Sequence, residues 1–330
     1  MVSEIATSQD KPLISFIIFS YNQEQFIREA VEGAFSQSYS PLEIVLSDDC
    51  STDMTFEIVT EMVAAYDGPH KIILNQNTRN LGFGRHLNYG FGLCSGELIV
   101  VAAGDDISLA TRSASLYQSW IAFGKPSMIC SGWELIDRYG KQLSDTANSR
   151  EISPGLLRSK KGKANAVQEY LDGKPFSLVG AAAAYSRELL HCFPALDENI
   201  VSEDFSLCLR ALLLSDVLCI EDVLVQYRRH DNNISSVGGS GAERFRVWSV
   251  RHAATFRGLY QDLKHLLDTR SLSWFDFARL GIQANAWVRS ASILEQWNQA
   301  HFLTKLFFLF PGLMLWGSRR HKKFAINNIF

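Results

Sequence analysis

Between Leu13 and Ile129 short apolar runs alternate with segments of helical period, and this alternation leaves few folds open. Parallel strands cannot be joined by a hairpin and need a crossover of roughly a dozen residues or more, usually a helix. The repeated order therefore implies a mostly parallel sheet with helices on its faces, an α/β fold. The pattern predicts strands over 13–19, 42–46, 72–74 and 98–102, and helices over 25–37, 54–66, 85–93 and 109–123. In such sheets ligands bind beyond the carboxyl ends of the strands. The residues expected there are Ser20-Tyr21-Asn22, Ser47-Asp48-Asp49, the stretch 75–80, and Gly104-Asp105-Asp106.

Composition narrows the partners. A chain of 330 residues, 47% apolar and 20% charged, can bury a large core. A net charge of −3 gives no basic face for nucleic acid as a main partner. Cys50, Cys94, Cys130, Cys192, Cys208 and Cys219 form no CxxC pair or zinc-ligand spacing, so reduced thiols are expected. The polar residues 1–12 lack the basic start and apolar middle of a secretory signal, which implies residence on the cytoplasmic side.

Further along, 139–174 is rich in Ser, Lys, Gly and Asp and reads as a long surface excursion. Order resumes near 178–184, followed by a helix at about 204–214 and a strand or two over 217–227. After Gly238-Gly239-Ser240-Gly241 the pattern is helical.

Asp105 and Asp106 end the apolar run 97–104 and deliver adjacent carboxylates to the rim of the sheet. Hard oxygen ligands of this kind suit Mg²⁺ or Mn²⁺ held together with a diphosphate, although paired acids are also common in turns. No GxGxxG follows the first strand and no GxxxxGK[ST] occurs, which removes dinucleotide-dependent dehydrogenases and P-loop phosphotransferases.

Several segments occur in a telling order. They are Ile17-Ile18-Phe19-Ser20-Tyr21-Asn22, then the run 38–53 with its Ser47-Asp48-Asp49-Cys50-Ser51-Thr52-Asp53, and Asn80-Leu81-Gly82. The pair Asp105-Asp106, Glu203-Asp204, and Tyr227-Arg228-Arg229-His230 with Asn233 and Ser235 complete the series. Over roughly 12–235 the chain resembles the inverting family-2 glycosyltransferases, which have the GT-A fold. The resemblance implies a Rossmann-like sheet in a catalytic domain over 1–237, with a nucleotide-sugar half at about 12–130 and an acceptor half at about 131–237. A helical C-terminal region follows at 238–330.

It also implies a UDP-, dTDP- or GDP-linked sugar donor, a saccharide or polyprenyl-linked oligosaccharide acceptor, and Mn²⁺ or Mg²⁺ as cofactor. Asp49 would accept an N–H of the base and Tyr21 would stack on it, with Ser20, Asn22 and Asn80 also on the donor. Asp105 would touch ribose or the metal's hydration shell. Asp106 would ligate the metal, with His230 as a further contact and Arg228 and Arg229 on the diphosphate. Asp204 would be the catalytic base, and Glu203, Trp133 and the run from Gly180 to Ala184 would shape the acceptor side. As simpler structural readings, Asp49 is a turn acid, and Glu203 and Asp204 only complement a helix N-terminus.

Two departures from the family pattern stand out. Phe19 replaces a frequent small residue, and His86-Leu87-Asn88 stands where Ala-Arg-Asn is common, with Arg85 a candidate for the missing cation. A sugar nucleotidyltransferase is an alternative of similar sheet type, but its Gly-rich, Arg- and Lys-bearing first loop is missing. A non-catalytic carbohydrate- or partner-binding relative is the other alternative. Finally, the apolar run 306–316, interrupted by Pro311-Gly312, is too short to span a bilayer, and Arg319-Arg320-His321-Lys322-Lys323 follows it. The expectation is a tail at 302–323 that associates with the inner face of a membrane.

Overall fold

The computed structural model describes residues 11–143, 155–157, 162–171, 179–231, 233 and 241–295. The first half alternates as expected: β1 (Ile14–Ser20), α1 (Ile27–Phe35), β2 (Leu42–Asp48), α2 (Thr55–Ala64), β3 (Lys71–Gln76), α3 (Phe83–Leu93) and β4 (Leu98–Ala103). Next come β5 (Ile107–Ser108), α4 (Arg112–Ala122), β6 (Met128–Ile136), β7 (Gly155–Leu157) and α5 (Lys163–Leu171). A single 3₁₀ turn, Gly180–Ala182, leads into β8 (Ala183–Ser186), α6 (Arg187–His191), α7 (Glu203–Leu214) and β9 (Val217–Arg228). Two long helices, α8 (Gly241–Asp268) and α9 (Trp274–Glu295), follow.

The sheet runs β3-β2-β1-β4-β8-β6-β9-β5, with β7 also paired to β9. β1, β2, β3 and β4 are mutually parallel, whereas β8 is antiparallel to both β4 and β6. Chain order reverses between β1 and β4, so a crevice opens beyond Ser20 and Ala103, the place where ligands bind in open α/β sheets. Side chains alternate between faces along each strand. Ile14, Phe16 and Ile18 pack with α1, α2 and α4, while Ile17 and Val101 pack with α3, α5, α7, α8 and α9. The C-terminal helices thus share a core with the sheet. A buried ion pair from Arg210 Nε to Asp262 Oδ2 at 2.8 Å also ties α7 to α8.

The stretch 139–174 is not wholly the surface excursion expected. Gly155–Leu157 pairs with β9, and α5 buries Ala164, Ala166, Val167 and Leu171. These residues share a core with Leu207, Leu209 and Leu212 of α7. The strand from 217 is a single one, ending at Arg228. No helix among the described residues is long and apolar enough to cross a membrane. The expected membrane-associating tail, 302–323, lies outside the described residues.

Candidate active site

The crevice is a cavity of about 1040 Å³, large enough for a sizeable ligand. Its wall brings together Ser20, Tyr21, Asn22, Asp49, Asn80, Asp105, Asp106, Gly180, Glu203 and His230 from the ends of β1, β2, β4 and β9 and the start of α7.

At one end Asp49 is 3% exposed and fixed from three sides. Its Oδ1 accepts from Asn77 Nδ2 at 2.7 Å and the Leu81 N–H at 2.8 Å, and its Oδ2 accepts from the Gly82 N–H at 2.9 Å. This carboxylate holds the loop before α3, and Asn80 Oδ1 accepts from the same Gly82 N–H. Asn22 has a left-handed backbone, φ 53°, and its Oδ1 accepts from the Thr52 N–H at 2.8 Å. Tyr21 is 44% exposed on the wall, a position from which a ring can stack on a planar ligand.

In the middle stands the acidic pair. Asp106 is 3% exposed; its Oδ1 accepts from the Arg228 N–H at 2.8 Å, and its Oδ2 is buried without a partner. Burial and the neighbouring Asp105 charge push its carboxyl well above the usual range. An orphaned carboxylate oxygen on a cavity wall is costly in the absence of a ligand, and the oxygen chemistry fits a hard divalent cation. Among the described residues no group of three or more His, Cys, Asp or Glu side chains is arranged to hold a metal, so the protein alone offers only part of a coordination shell. His230 Nε2 lies 3.0 Å from Asp105 Oδ2 and its ring stacks on Phe26 at 4.7 Å.

At the far end α7 begins with Glu203 and Asp204. Glu203 is buried on the wall against Gly180, where a Cβ would overlap its carboxylate. Burial and the Asp204 charge push it up to about 8. Asp204 is not on the wall. Its Oδ1 accepts from the Ser202 hydroxyl and from the Phe205 N–H, and Ser202 is the residue that reaches the cavity. Successive helical residues point about 100° apart, so the two acids cannot face the same way.

Several expected residues lie elsewhere. Trp133 is buried with Leu135, Ala182 and Val225 behind Tyr227, and it is Tyr227 that lines the cavity. Arg229, one residue past the end of β9, is exposed and off the wall. Arg85 is held in a surface ion pair, Nε to Glu198 Oε2 at 2.6 Å, and does not reach the cavity. Arg228 is buried and its guanidinium is already engaged by Asp105 O at 2.8 Å and Glu29 Oε2 at 2.5 Å, so it braces the acidic pair instead of facing a diphosphate. Among the described residues the Lys or Arg that lines the cavity is Arg138, whose Nη2 donates to Gln25 Oε1 at 3.0 Å. No motif marks it; it stands two residues past the end of β6, where that strand pairs with β9. His86, Phe19 and, from α8, His252 were likewise unassigned and line the wall.

The sequence profile of glycosyl transferase family 2 matches residues 15–193. An uncharacterized glycosyltransferase of Haemophilus influenzae is 40% identical over 97 residues, a match spanning 29% of each chain, so the likeness covers less than a third of that relative's length. Residues 1–349 of Staphylococcus aureus TarS, in complex with UDP-GlcNAc, superpose with a TM-score of 0.52 at 18% identity, covering 84% of this chain and 81% of that one. The mannosyltransferase PcManGT of Pyrobaculum calidifontis, in complex with GDP-Man and Mn²⁺, gives a TM-score of 0.51 at 16% identity over 99% of this chain and 90% of that one. At these identities the two structures bear on the fold alone.

Proposed function

The chain belongs to glycosyl transferase family 2, with the GT-A fold, and we propose that it moves a sugar, with inversion, from a nucleoside-diphosphate donor to a hydroxyl of a saccharide or lipid-linked saccharide. The observation that carries this reading is the orphaned, buried Asp106 Oδ2 on a cavity that also holds Asp49 and Glu203. Asp49 and Tyr21 take the base, with Ser20, Asn22 and Asn80 around the nucleoside. Asp106, with Asp105 and His230 beside it, would hold Mn²⁺ or Mg²⁺. When bound, that cation neutralises charge developing on the departing diphosphate.

The two acids of α7 divide the remaining work. At neutral pH a carboxyl with a pKa of about 8 is mostly protonated, so Glu203 is a hydrogen-bond donor to the acceptor sugar and not the base. That leaves Asp204, linked to the cavity through the Ser202 hydroxyl, to take the proton as the acceptor oxygen attacks the anomeric carbon and the bond to the diphosphate breaks. The acceptor is a growing surface polysaccharide or lipopolysaccharide, met at the inner face of the membrane by the tail at 302–323. Deleting residues after His301 is expected to release the protein from membranes, and unchanged sedimentation with them opposes the anchor.

Hydrolysis of UDP-, dTDP- and GDP-sugars without acceptor tests the transferase reading. At least one should slowly release its nucleoside diphosphate with Mn²⁺ or Mg²⁺ and stop with chelator. Inertness toward all of them, with no transfer to saccharides, favours a binding protein.

A further inference from the structure

Charge is divided unevenly along this chain. Residues 241–330 hold thirteen Lys or Arg against five Asp or Glu, whereas the preceding 240 hold nineteen against thirty. The described part of that basic region is the hairpin of α8 and α9, and it exposes large apolar side chains as well. Phe275 is 73% exposed, Trp274 71% and Ile282 62%. Phe275 and Ile282 are two helical turns apart and share the outer face of α9, while Leu280 and Ala284 on the opposite face are buried in a core with Leu259 and Leu263 of α8. Arg289, two turns further on, continues the outer face and is exposed.

The turn between the helices holds its residues firmly. Arg270 N–H donates to Leu267 O at 3.0 Å and Ser271 N–H to Leu266 O at 2.8 Å, the pair of bonds that closes a helix at a left-handed residue. That residue is Arg270, with φ 57°, at a position where glycine is ordinarily preferred and a side chain costs conformational energy. Ser273 Oγ then accepts from the Asp276 N–H at 3.1 Å and donates to Asp276 Oδ2 at 2.8 Å, which starts α9 just before Trp274 and Phe275.

Arg270 and Arg289 have no ion-pair partner among the described residues. Of the acids between 257 and 289, Asp262 is paired with Arg210 and Asp276 with Arg279, which leaves Asp268. Aromatic rings that settle at headgroup level and free cations beside them are what an anionic bilayer surface binds.

We propose that the α8–α9 hairpin docks on an anionic lipid bilayer, with Trp274, Phe275 and Ile282 entering the headgroup region and Arg270 and Arg289 meeting lipid phosphates. This inference rests on the membrane reading above and adds a second contact to the tail at 302–323. One weak contact holds a protein to a bilayer only marginally, and a second on the same chain engages at a high effective concentration. Loss of either contact therefore releases most of the protein.

Flotation of the full chain with vesicles of equal parts phosphatidylglycerol and phosphatidylcholine tests the docking. Wild type should bind them, and should bind pure phosphatidylcholine roughly tenfold more weakly. Trp274→Ser combined with Phe275→Ser should lower the partition coefficient roughly tenfold, with an unchanged urea midpoint because both side chains are exposed. Arg270→Gly should weaken binding about fivefold while the midpoint holds or rises, since glycine relieves the left-handed turn. Trp274→Phe should keep binding yet lose part of the tryptophan quenching seen when the phosphatidylcholine is brominated.

Wild-type partition in the double serine variant, or equal quenching in Trp274→Phe, overturns the hairpin contact and leaves the tail to its own deletion test. Release by the double serine variant but not by deletion after His301 supports the hairpin and removes the tail. A chain that is dimeric as wild type and monomeric as the double variant, with flotation unchanged, assigns the face to a second copy and overturns the docking. Failure of wild type to bind either vesicle overturns both contacts and leaves the transferase reading standing.

Discussion

Asp49 and Glu203 are buried carboxylates at opposite ends of one cavity, and they are held in opposite ways. Asp49 has three N–H donors converging on it. Glu203 has no side-chain donor among the described residues and a negative neighbour in Asp204, and its pKa rises to about 8. Converging donors fix a carboxylate in place, while burial beside a like charge favours the protonated form. The donor-binding end is therefore preorganised around a positioned carboxylate. The reacting end keeps a proton that can be offered to an acceptor sugar, next to a second acid that can receive one.

Substitutions at α7 separate the two acids. Asp204→Asn should leave donor affinity nearly intact and cut turnover by roughly 10²–10⁴, the usual cost of losing a general base. Wild-type turnover in that variant would move the proton to another group. Next in size is Asp49→Ala, which leaves Asn77 and the Leu81 and Gly82 N–H groups without their acceptor. Equilibrium unfolding in urea should show a loss of about 2–3 kcal/mol, since bonds to a charged group are worth more than neutral ones. A change below a few tenths would mean that water replaces the carboxylate and that the donor end is not preorganised.

Gly180→Ala forces the Glu203 carboxylate off the wall, and the side chain can rotate to relieve the overlap. Stability should change little, while the acceptor KM rises by about tenfold at an unchanged donor Kd. An unaffected acceptor KM would remove Glu203 from that subsite. Glu203→Gln is the mildest change, because the amide is still a donor. Wild-type rate should fall as pH rises through about 8, where Glu203 ionises, and the variant should lack this alkaline limb. The stability effect has a definite sign. Between the ordinary value of 4.5 and the folded value of about 8, Glu203 is protonated in the fold and ionised in the unfolded chain. Its contribution to stability is therefore lost as pH rises across that window, and Glu203→Gln should flatten the dependence.

The first half of the fold was readable because strand and helix periods differ there and each apolar run is long. β1 to β4 and their helices agree with expectation to within two residues at nearly every end. β8 was not readable as a strand, since Ala183 and Ala184 carry little strand preference and the pairing with β4 and β6 that holds them is long-range. Motifs located the acids of the cavity, yet their states depend on long-range contacts. Nothing near Asp106 in sequence announces that Arg228 will occupy one of its oxygens and leave the other bare. Spacing could not decide which of Glu203 and Asp204 faces the cavity, because one residue of helical phase reverses the answer. Trp133, Arg229 and Arg85 carried plausible chemistry, but Trp133 packs behind Tyr227, Arg229 lies past the end of β9, and Arg85 pairs with Glu198.

The most direct test of the cavity is the metal dependence of donor binding by wild type and Asp106→Ala, titrated in parallel with Mn²⁺ and with chelator. Wild type should bind a UDP-, dTDP- or GDP-linked sugar saturably with Mn²⁺ and at least tenfold more weakly with chelator, and Asp106→Ala should bind weakly in both. Equal affinity of the two proteins in Mn²⁺, or equal wild-type affinity with and without metal, would contradict the assignment of the orphaned Asp106 oxygen to a donor-bound cation.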